Sequence, residues 1–410
     1  MSGTASNHDP NRRRFLHAAL GAPLLLAACG GNGVANTPGN SANAPGNTAK
    51  TPDQASKYPA LRGTVIGPGR AKDQDTGEMA FFLGLLDLDR SADSLRVAND
   101  IGFFGHGVTP NPVKPKTAVI FEKHGKGSCE VDLAAAKLIR RITTVADREF
   151  YGHGAFTPDG KTLFAAEAIV GDGSYDGVIA VRDGSSFELQ GEFPTFGIAP
   201  HDCHLVDEGK TLVITNGGAP MDADGPEGEP CISYVDIKSR ELRQKLTFRN
   251  KRVNAGHIAI TGKGEVACVS APRGGIADSA PDWLGSIHFF DPVKGRMTEP
   301  DDPVLGRMKG ETLSVAIHEP SMIVGATNPS GDLITFWDFR TGKLVKAIEG
   351  EFKWPRGISC TLDRKFFVVT YHQSTSLVLI DAETLTPVAS SIVATTYMSG
   401  SHNLVYQLPA

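Results

Sequence analysis

The sequence predicts an all-β protein, a single seven-bladed β-propeller whose ring is closed by a C-terminal strand added to the N-terminal blade. Three observations predict it. Glycine and proline are abundant, at 46 and 26 of 410 residues, and charged residues are only 21%, which suits short strands joined by tight turns. An apolar strand ending in Asp, then a turn and a second strand, recurs seven times. The C-terminus carries a strand that the first repeat lacks.

The repeats run in order through FFLGLLDLD, CEVDLAAAKLIRRI, GVIAVRDGSSFELQGEF and CISYVDIKSRELRQKLTF, then SIHFFDPVKGRM, LITFWDFRTGKLVKAI and LVLIDAETLTPVASSI. Their aspartates are Asp87, Asp132, Asp183, Asp236, Asp291, Asp338 and Asp381, spaced 43 to 55 residues apart. Units of that length with four short strands are the mark of a propeller, and the period-2 patterning excludes a helical solenoid. The first unit supplies only three strands, from Gly63, from Met79 and after Asp89. Ser401–Gln407 supplies the fourth, leaving no open sheet edge. The propeller is expected over residues 58–410, as a monomer.

Residues 1–29 read as an export signal. Arg12 and Arg13 open an Arg-Arg-x-Phe-Leu pattern resembling a twin-arginine signal, and an eleven-residue apolar run follows from Ala18 to Ala28. That run is too short to span a bilayer. Leu26-Ala27-Ala28-Cys29 resembles a bacterial lipobox, with Cys29 as the lipidated residue. Gly30 and Gly31 stand where an inner-membrane retention signal places Asp. The expectation is therefore a periplasmic protein on the outer membrane, attached through the lipid anchor only. Residues 30–57, rich in Gly, Asn, Ala, Pro and Thr, read as a disordered tether.

A net charge of −5 offers no basic patch for nucleic acid. The five remaining cysteines are odd in number and widely spaced, without a Cys-x-x-Cys, and read as small core residues. The loop Met221–Glu229 is dense in carboxylates but lacks calcium-loop spacing, and reads as a solvated insertion.

The histidines carry the functional reading. Aligning the innermost strands on the turn after each places His106, His153, His257 and His402 at one position. The fourth blade gives Asp202 there, with His201 adjacent and a one-residue bulge enough to substitute it. The sixth gives Ser314 and the seventh Arg356. Equivalent positions ring the channel axis, so five imidazoles gather at one mouth with Asp202, Ser314 and Arg356 beside them. Imidazole suits iron, copper and zinc, and the glycines flanking His106 and His153 let backbone approach closely. Two structural readings compete: histidines bonded within their blades, as in Gly-His motifs of WD-type propellers, and a water-filled polar channel.

The run FYGHGAFTPDGKTLFAAEA, with DGVIAVRD, GEFPTFGIAPHDCHLV and GKTLVITNGG, resembles the twin-arginine-exported bacterial family called domain of unknown function fifteen-thirteen. The resemblance rests on Gly-His-Gly at His106 and His153, and on Gly197-Ile-Ala-Pro-His201-Asp202. Thr195-Phe196-Gly197 departs from the family's Ser-His-Gly, and Gly256-His257 lacks its arginine. Family genes accompany periplasmic iron-uptake proteins of the imelysin type, so the resemblance implies a metal-linked role and no established reaction.

The first expectation is thus an envelope-anchored propeller that binds iron, copper or zinc for uptake or delivery beside envelope metal-uptake proteins. The alternatives are a lactonase-like hydrolase or metal-dependent oxidoreductase, with Asp202 and Glu167 as acid and base and Arg356 binding an oxyanion, and a metal-free interaction platform.

Overall fold

Seven aspartates set the local architecture. Each of Asp87, Asp132, Asp183, Asp236, Asp291, Asp338 and Asp381 is the last residue of a β-strand. Its carboxylate accepts backbone N–H groups from the turn that follows, at 2.7–3.1 Å. A short acceptor side chain satisfies the donors that a tight turn strands, which is why Asp recurs there.

The computed structural model describes residues 57–409 apart from 73–76, 91, 220–226, 275 and 372–375. Arg12, Arg13, Cys29, most of the expected tether, and the centre of the acidic loop lie outside the described residues. The described residues belong to a compact unit that begins at Ala55. Among them there is no α-helix, only short 3-10 turns.

The strands fall into antiparallel sheets in chain order. The first holds β1 (Thr64–Lys72), β2 (Met79–Asp87) and β3 (Arg96–Ala98). Next come β4 (Gly105–Pro110), β5 (Thr117–Gly125), β6 (Ser128–Asp132) and β7 (Lys137–Ile142), then β8 (Arg148–Phe156), β9 (Thr162–Ile169), β10 (Asp176–Asp183) and β11 (Leu189–Ile198). These eight form one sheet. Four-stranded sheets follow: β12 (Pro200–Val206), β13 (Thr211–Asn216), β14 (Cys231–Asp236) and β15 (Leu242–Thr247), then β16 (Ile258–Ile260), β17 (Val266–Ser270), β18 (Ser286–Asp291) and β19 (Arg296–Thr298). The next holds β20 (Ser314–His318), β21 (Ile323–Asn328), β22 (Leu333–Asp338) and β23 (Leu344–Glu349), and the last β24 (Ile358–Cys360), β25 (Phe366–Tyr371) and β26 (Ser376–Asp381). The C-terminal strand β27 (Leu404–Tyr406) pairs with β1 of the first sheet, Val65 opposite Val405.

His153 lies inside its strand: β8 begins five residues earlier, at Arg148. That extension pairs Tyr151 with Lys123 and Phe150 with Gly125 of β5, which fuses the second and third repeats into one sheet.

The middle strands are buried on both faces. Thr211–Asn216 is buried at every position, because each sheet lies between two others, so its sequence reads as a continuous apolar run rather than an alternation. Outer strands alternate instead, as in Lys137–Ile142. One core cluster packs Ile66 and Leu83 against Ile120 and Val131, and another packs Val65 and Leu86 against Val368 and Leu379. The first sheet therefore packs against both the second and the last repeats. The five described cysteines are buried and free, as the sequence suggested.

Candidate metal centre

The inner strands deliver the histidines through local irregularities. Register breaks fall between Gly105 and Gly107 on β4, between Phe150 and Gly154 on β8, and between Pro200 and Cys203 on β12. Each break spans one histidine, His106, His153 or His201, and a bulge re-aims a side chain in this way. His257 stands immediately before β16, and His402 two residues before β27.

Glycine makes the convergence possible. Gly152 has φ +111°, and a Cβ there would lie 2.8 Å from His106 Cδ2 and 3.2 Å from His201 Cε1. At Gly107 a Cβ would lie 2.3 Å from the Gly152 carbonyl oxygen and 2.8 Å from His153 Nδ1.

The rings meet edge to edge. Nε2 of His257 lies 2.6 Å from that of His201, 2.5 Å from that of His402 and 3.0 Å from that of His106. The His106 and His201 Nε2 atoms are 3.3 Å apart. One ring nitrogen from each of His106, His153, His201 and His257 lies within 4.8 Å of the others, a group that can hold a metal ion. The His402 ring centroid lies 4.9 Å from that of His106 and 5.0 Å from that of His153.

The opposite edges of two rings settle their tautomers. His201 Nδ1 lies 2.7 Å from the Tyr151 carbonyl oxygen, and His257 Nδ1 lies 2.6 Å from that of Leu313. A carbonyl only accepts, so each Nδ1 carries the proton and donates it. Each Nε2 then presents a lone pair, and the 2.6 Å contact between them is not a hydrogen bond. Two lone pairs aimed at one point are the arrangement a cation requires, and a carbonyl behind the far nitrogen is the usual outer support of a ligating histidine.

Burial keeps the cluster neutral. It pushes the imidazoles of His106, His201, His257 and His402 well below their ordinary value, reinforced by neighbouring histidines and by Lys123. His153 falls to about 4, since burial outweighs the Asp202 carboxylate beside it. Neutral imidazole is the ligating form.

Asp202 is a buried brace rather than a free carboxylate. Its Oδ2 accepts the Ile258 N–H at 3.0 Å, and its Oδ1 lies 3.4 Å from His153 Nδ1 and 3.0 Å from His204 Nε2. Burial raises its pKa, but His204, His153 and the Ile258 N–H outweigh that and hold it well below the carboxylate range. His204 is raised, because Asp202 overcomes its burial. Ser314 takes the equivalent place two repeats on: its Oγ accepts the Ile358 N–H at 3.2 Å and lies 3.4 Å from His402 Nδ1. Both residues donate their backbone N–H to a threonine of the next strand, Asp202 to Thr215 and Ser314 to Thr327. Gly357 makes the same bond to Thr370, so Arg356 stands one residue before that level, as His201 does.

A cavity of about 330 Å³ opens on one side of the cluster. His153, Asp202, His204, His257 and His402 close its end, and Val108, Ile258, Ile317, Ile358 and Leu404 are among its walls. Glu167 is not at the mouth. It is fully buried, with Oε1 2.7 Å from Arg182 Nη2 and Oε2 accepting from Thr144 Oγ1 at 2.9 Å, so it serves an internal ion pair.

Sequence reasoning missed Lys123 and Arg70. Lys123 lies past the apolar run Ala118–Phe121, between Glu122 and His124, where a charged residue at a strand end draws no notice.

Fold and site together define a propeller-like all-β protein with a buried histidine cluster able to hold a metal. The chain belongs to the family described as "Protein of unknown function (DUF1513)", which matches residues 100–386. No curated protein matches the chain in sequence. Among solved structures it is similar to "Kuenenia stuttgartiensis Hydrazine Synthase", at 14% identity over 84% of this chain and 99% of that one, TM-score 0.54. It is also similar to the β-propeller domain of Myceliophteria thermophila Cps50 (Swd1), at 12% identity over 78% and 96%, TM-score 0.51. At these identities the likeness is one of fold.

Proposed function

We propose that the chain is a seven-bladed propeller, closed by β27 on β1, that holds one transition-metal ion at the centre of its histidine ring. The ion is iron, copper or zinc, and the role is uptake or delivery in the bacterial periplasm, with Cys29 as the lipid anchor and envelope metal-uptake proteins as partners. The observation that carries the reading is the carbonyl-held tautomer of His201 and His257, which turns two lone pairs toward each other at 2.6 Å. Bonds within a blade do not account for the pair, because the Nε2 neighbours of both rings are histidines of other repeats.

Ligand distances near 2.0–2.1 Å in a tetrahedral site require nitrogens about 3.3 Å apart. His106 and His201 already have that spacing. The His201–His257 and His257–His402 pairs, at 2.6 and 2.5 Å, open by about 0.7 and about 0.8 Å on binding.

The hydrolase alternative loses its acid and base, because Asp202 is held by three neighbours and Glu167 by an ion pair. The test is elemental analysis of protein purified from envelopes without chelators, beside a His153→Ala/His257→Ala double variant. Near-stoichiometric metal that vanishes in the folded variant supports the proposal. Equal metal content in both refutes it.

A further inference from the structure

The side of the cluster opposite the cavity has a different chemistry. The cavity is lined by residues that follow the ring along the inner strands, Val108, Ile258, Ile317, Ile358 and Leu404 among them. Residues that precede the ring face the other mouth. Gly105 of β4 pairs with Glu122, so Lys123, the next residue of β5, lies beyond the start of β4. It pairs with Tyr151, whose carbonyl holds His201. Ile66 of β1 pairs with Leu404, so Arg70, four residues on, lies level with the segment before His402. The Arg70 N–H donates to Ser399 Oγ at 2.9 Å, and its guanidinium lies 4.7 Å from the centre of the Phe104 ring, two residues before His106. Arg356 donates from Nε to the Gly400 carbonyl oxygen at 3.3 Å.

Three cations from three repeats thus border one mouth. Arg70 through its backbone N–H and Arg356 through Nε bond adjoining residues of the segment that leads to His402. Lys123 has no hydrogen-bond or ion-pair partner among the described residues. Glu311, three residues before Ser314, is the carboxylate whose charge reaches both Lys123 and Arg356. Burial lowers all three cations, Arg356 to about 10. Partly desolvated like charges repel one another and are retained where an anion offsets them.

We infer that this mouth is an anion site: Lys123, Arg70 and Arg356 bind a small oxyanion, a di- or tricarboxylate or a phosphate, that reaches the ring-held ion from the side opposite the cavity. The inference rests on the proposed metal site, and it names the co-ligand class that site would take. Guanidinium forks suit carboxylate and phosphate oxygens, and a net excess of positive charge selects a multiply charged ligand. The same field disfavours a bare cation at this mouth.

The test uses the full chain loaded with cobalt(II), whose visible bands report its ligands, titrated with oxalate, citrate and inorganic phosphate against a chloride control. The wild type is expected to show a saturable band shift with one of the three oxyanions, which also separates carboxylate from phosphate. Lys123→Met and Arg356→Gln are each expected to weaken that binding about tenfold or more at unchanged cobalt content, and Lys123→Arg to retain it. Wild-type anion affinity in both folded neutral variants, or no shift with any oxyanion, would overturn the inference. Calorimetry on the metal-free chain keeps the two readings apart. If no metal loads, oxyanion binding that is lost in Lys123→Met still supports the anion site while the metal proposal fails. No heat with any oxyanion in that case overturns the anion site as well.

Discussion

Replacing His257 by alanine is the perturbation for which the geometry gives the clearest magnitude. His257 is the hub of the cluster, with Nε2 within 3.0 Å of three other Nε2 atoms. Four-ligand nitrogen and sulfur sites bind zinc with about 10–16 kcal/mol, so one ligand accounts for about 3 kcal/mol. At 1.4 kcal/mol per tenfold, the variant should bind metal about 100-fold more weakly. The fold should survive, because the Leu313 carbonyl loses one hydrogen bond worth about 1 kcal/mol and close lone-pair contacts are relieved. The assay is competition against a chromophoric chelator at neutral pH, for copper and zinc in turn, with a thermal melt of each metal-free protein. A folded variant with wild-type affinity would refute the reasoning, since the metal would then not sit on the hub.

Three other outcomes are expected. Acid should destabilise the metal-free protein: the unfolded chain protonates His153 near its ordinary 6.5 and the native chain only near 4, so stability falls as pH drops through that window. His153 alone accounts for about 3 kcal/mol, read as a falling urea midpoint between pH 7 and pH 4. Asp202 adds its loss only below the carboxylate range, and a flat midpoint would contradict the buried neutral ring. Gly152→Ala should lower metal affinity more than tenfold, because its Cβ would press on His106 and His201 at a φ that L-residues avoid; unchanged affinity would show that the rings do not pack there. Glu167→Gln should cost about 3–5 kcal/mol in a urea melt by stranding Arg182, with metal content intact; a loss of metal instead would return Glu167 to the site.

The repeat was legible because it is local. An aspartate that closes a turn leaves its mark within four residues, and all seven were readable. The fourth strand of the first sheet was readable as well, since the C-terminus held an unassigned apolar strand. The histidines were legible as a set, because equivalent positions on repeats need only counting. Their geometry was not. Whether His201 or Asp202 points inward depends on a bulge that a sequence states only as a possibility, and the answer was both, with His201 in the ring and Asp202 bracing Ile258. The carbonyls that fix the tautomers come from other repeats, 50 and 56 residues away in sequence. Lys123, Arg70 and Arg356 come together only through strand pairing across three repeats. Glu167 was misplaced because its partner, Arg182, belongs to the neighbouring strand β10.

The central claim is that one ion sits among the ring nitrogens, and anomalous scattering from crystals of the metal-loaded full chain tests it most directly. The account predicts a single strong peak at the metal edge about 2.0–2.1 Å from Nε2 of His201 and His257, with those nitrogens spread to about 3.3 Å. A peak elsewhere, or no peak after anaerobic loading with iron, copper and zinc in turn, would contradict it.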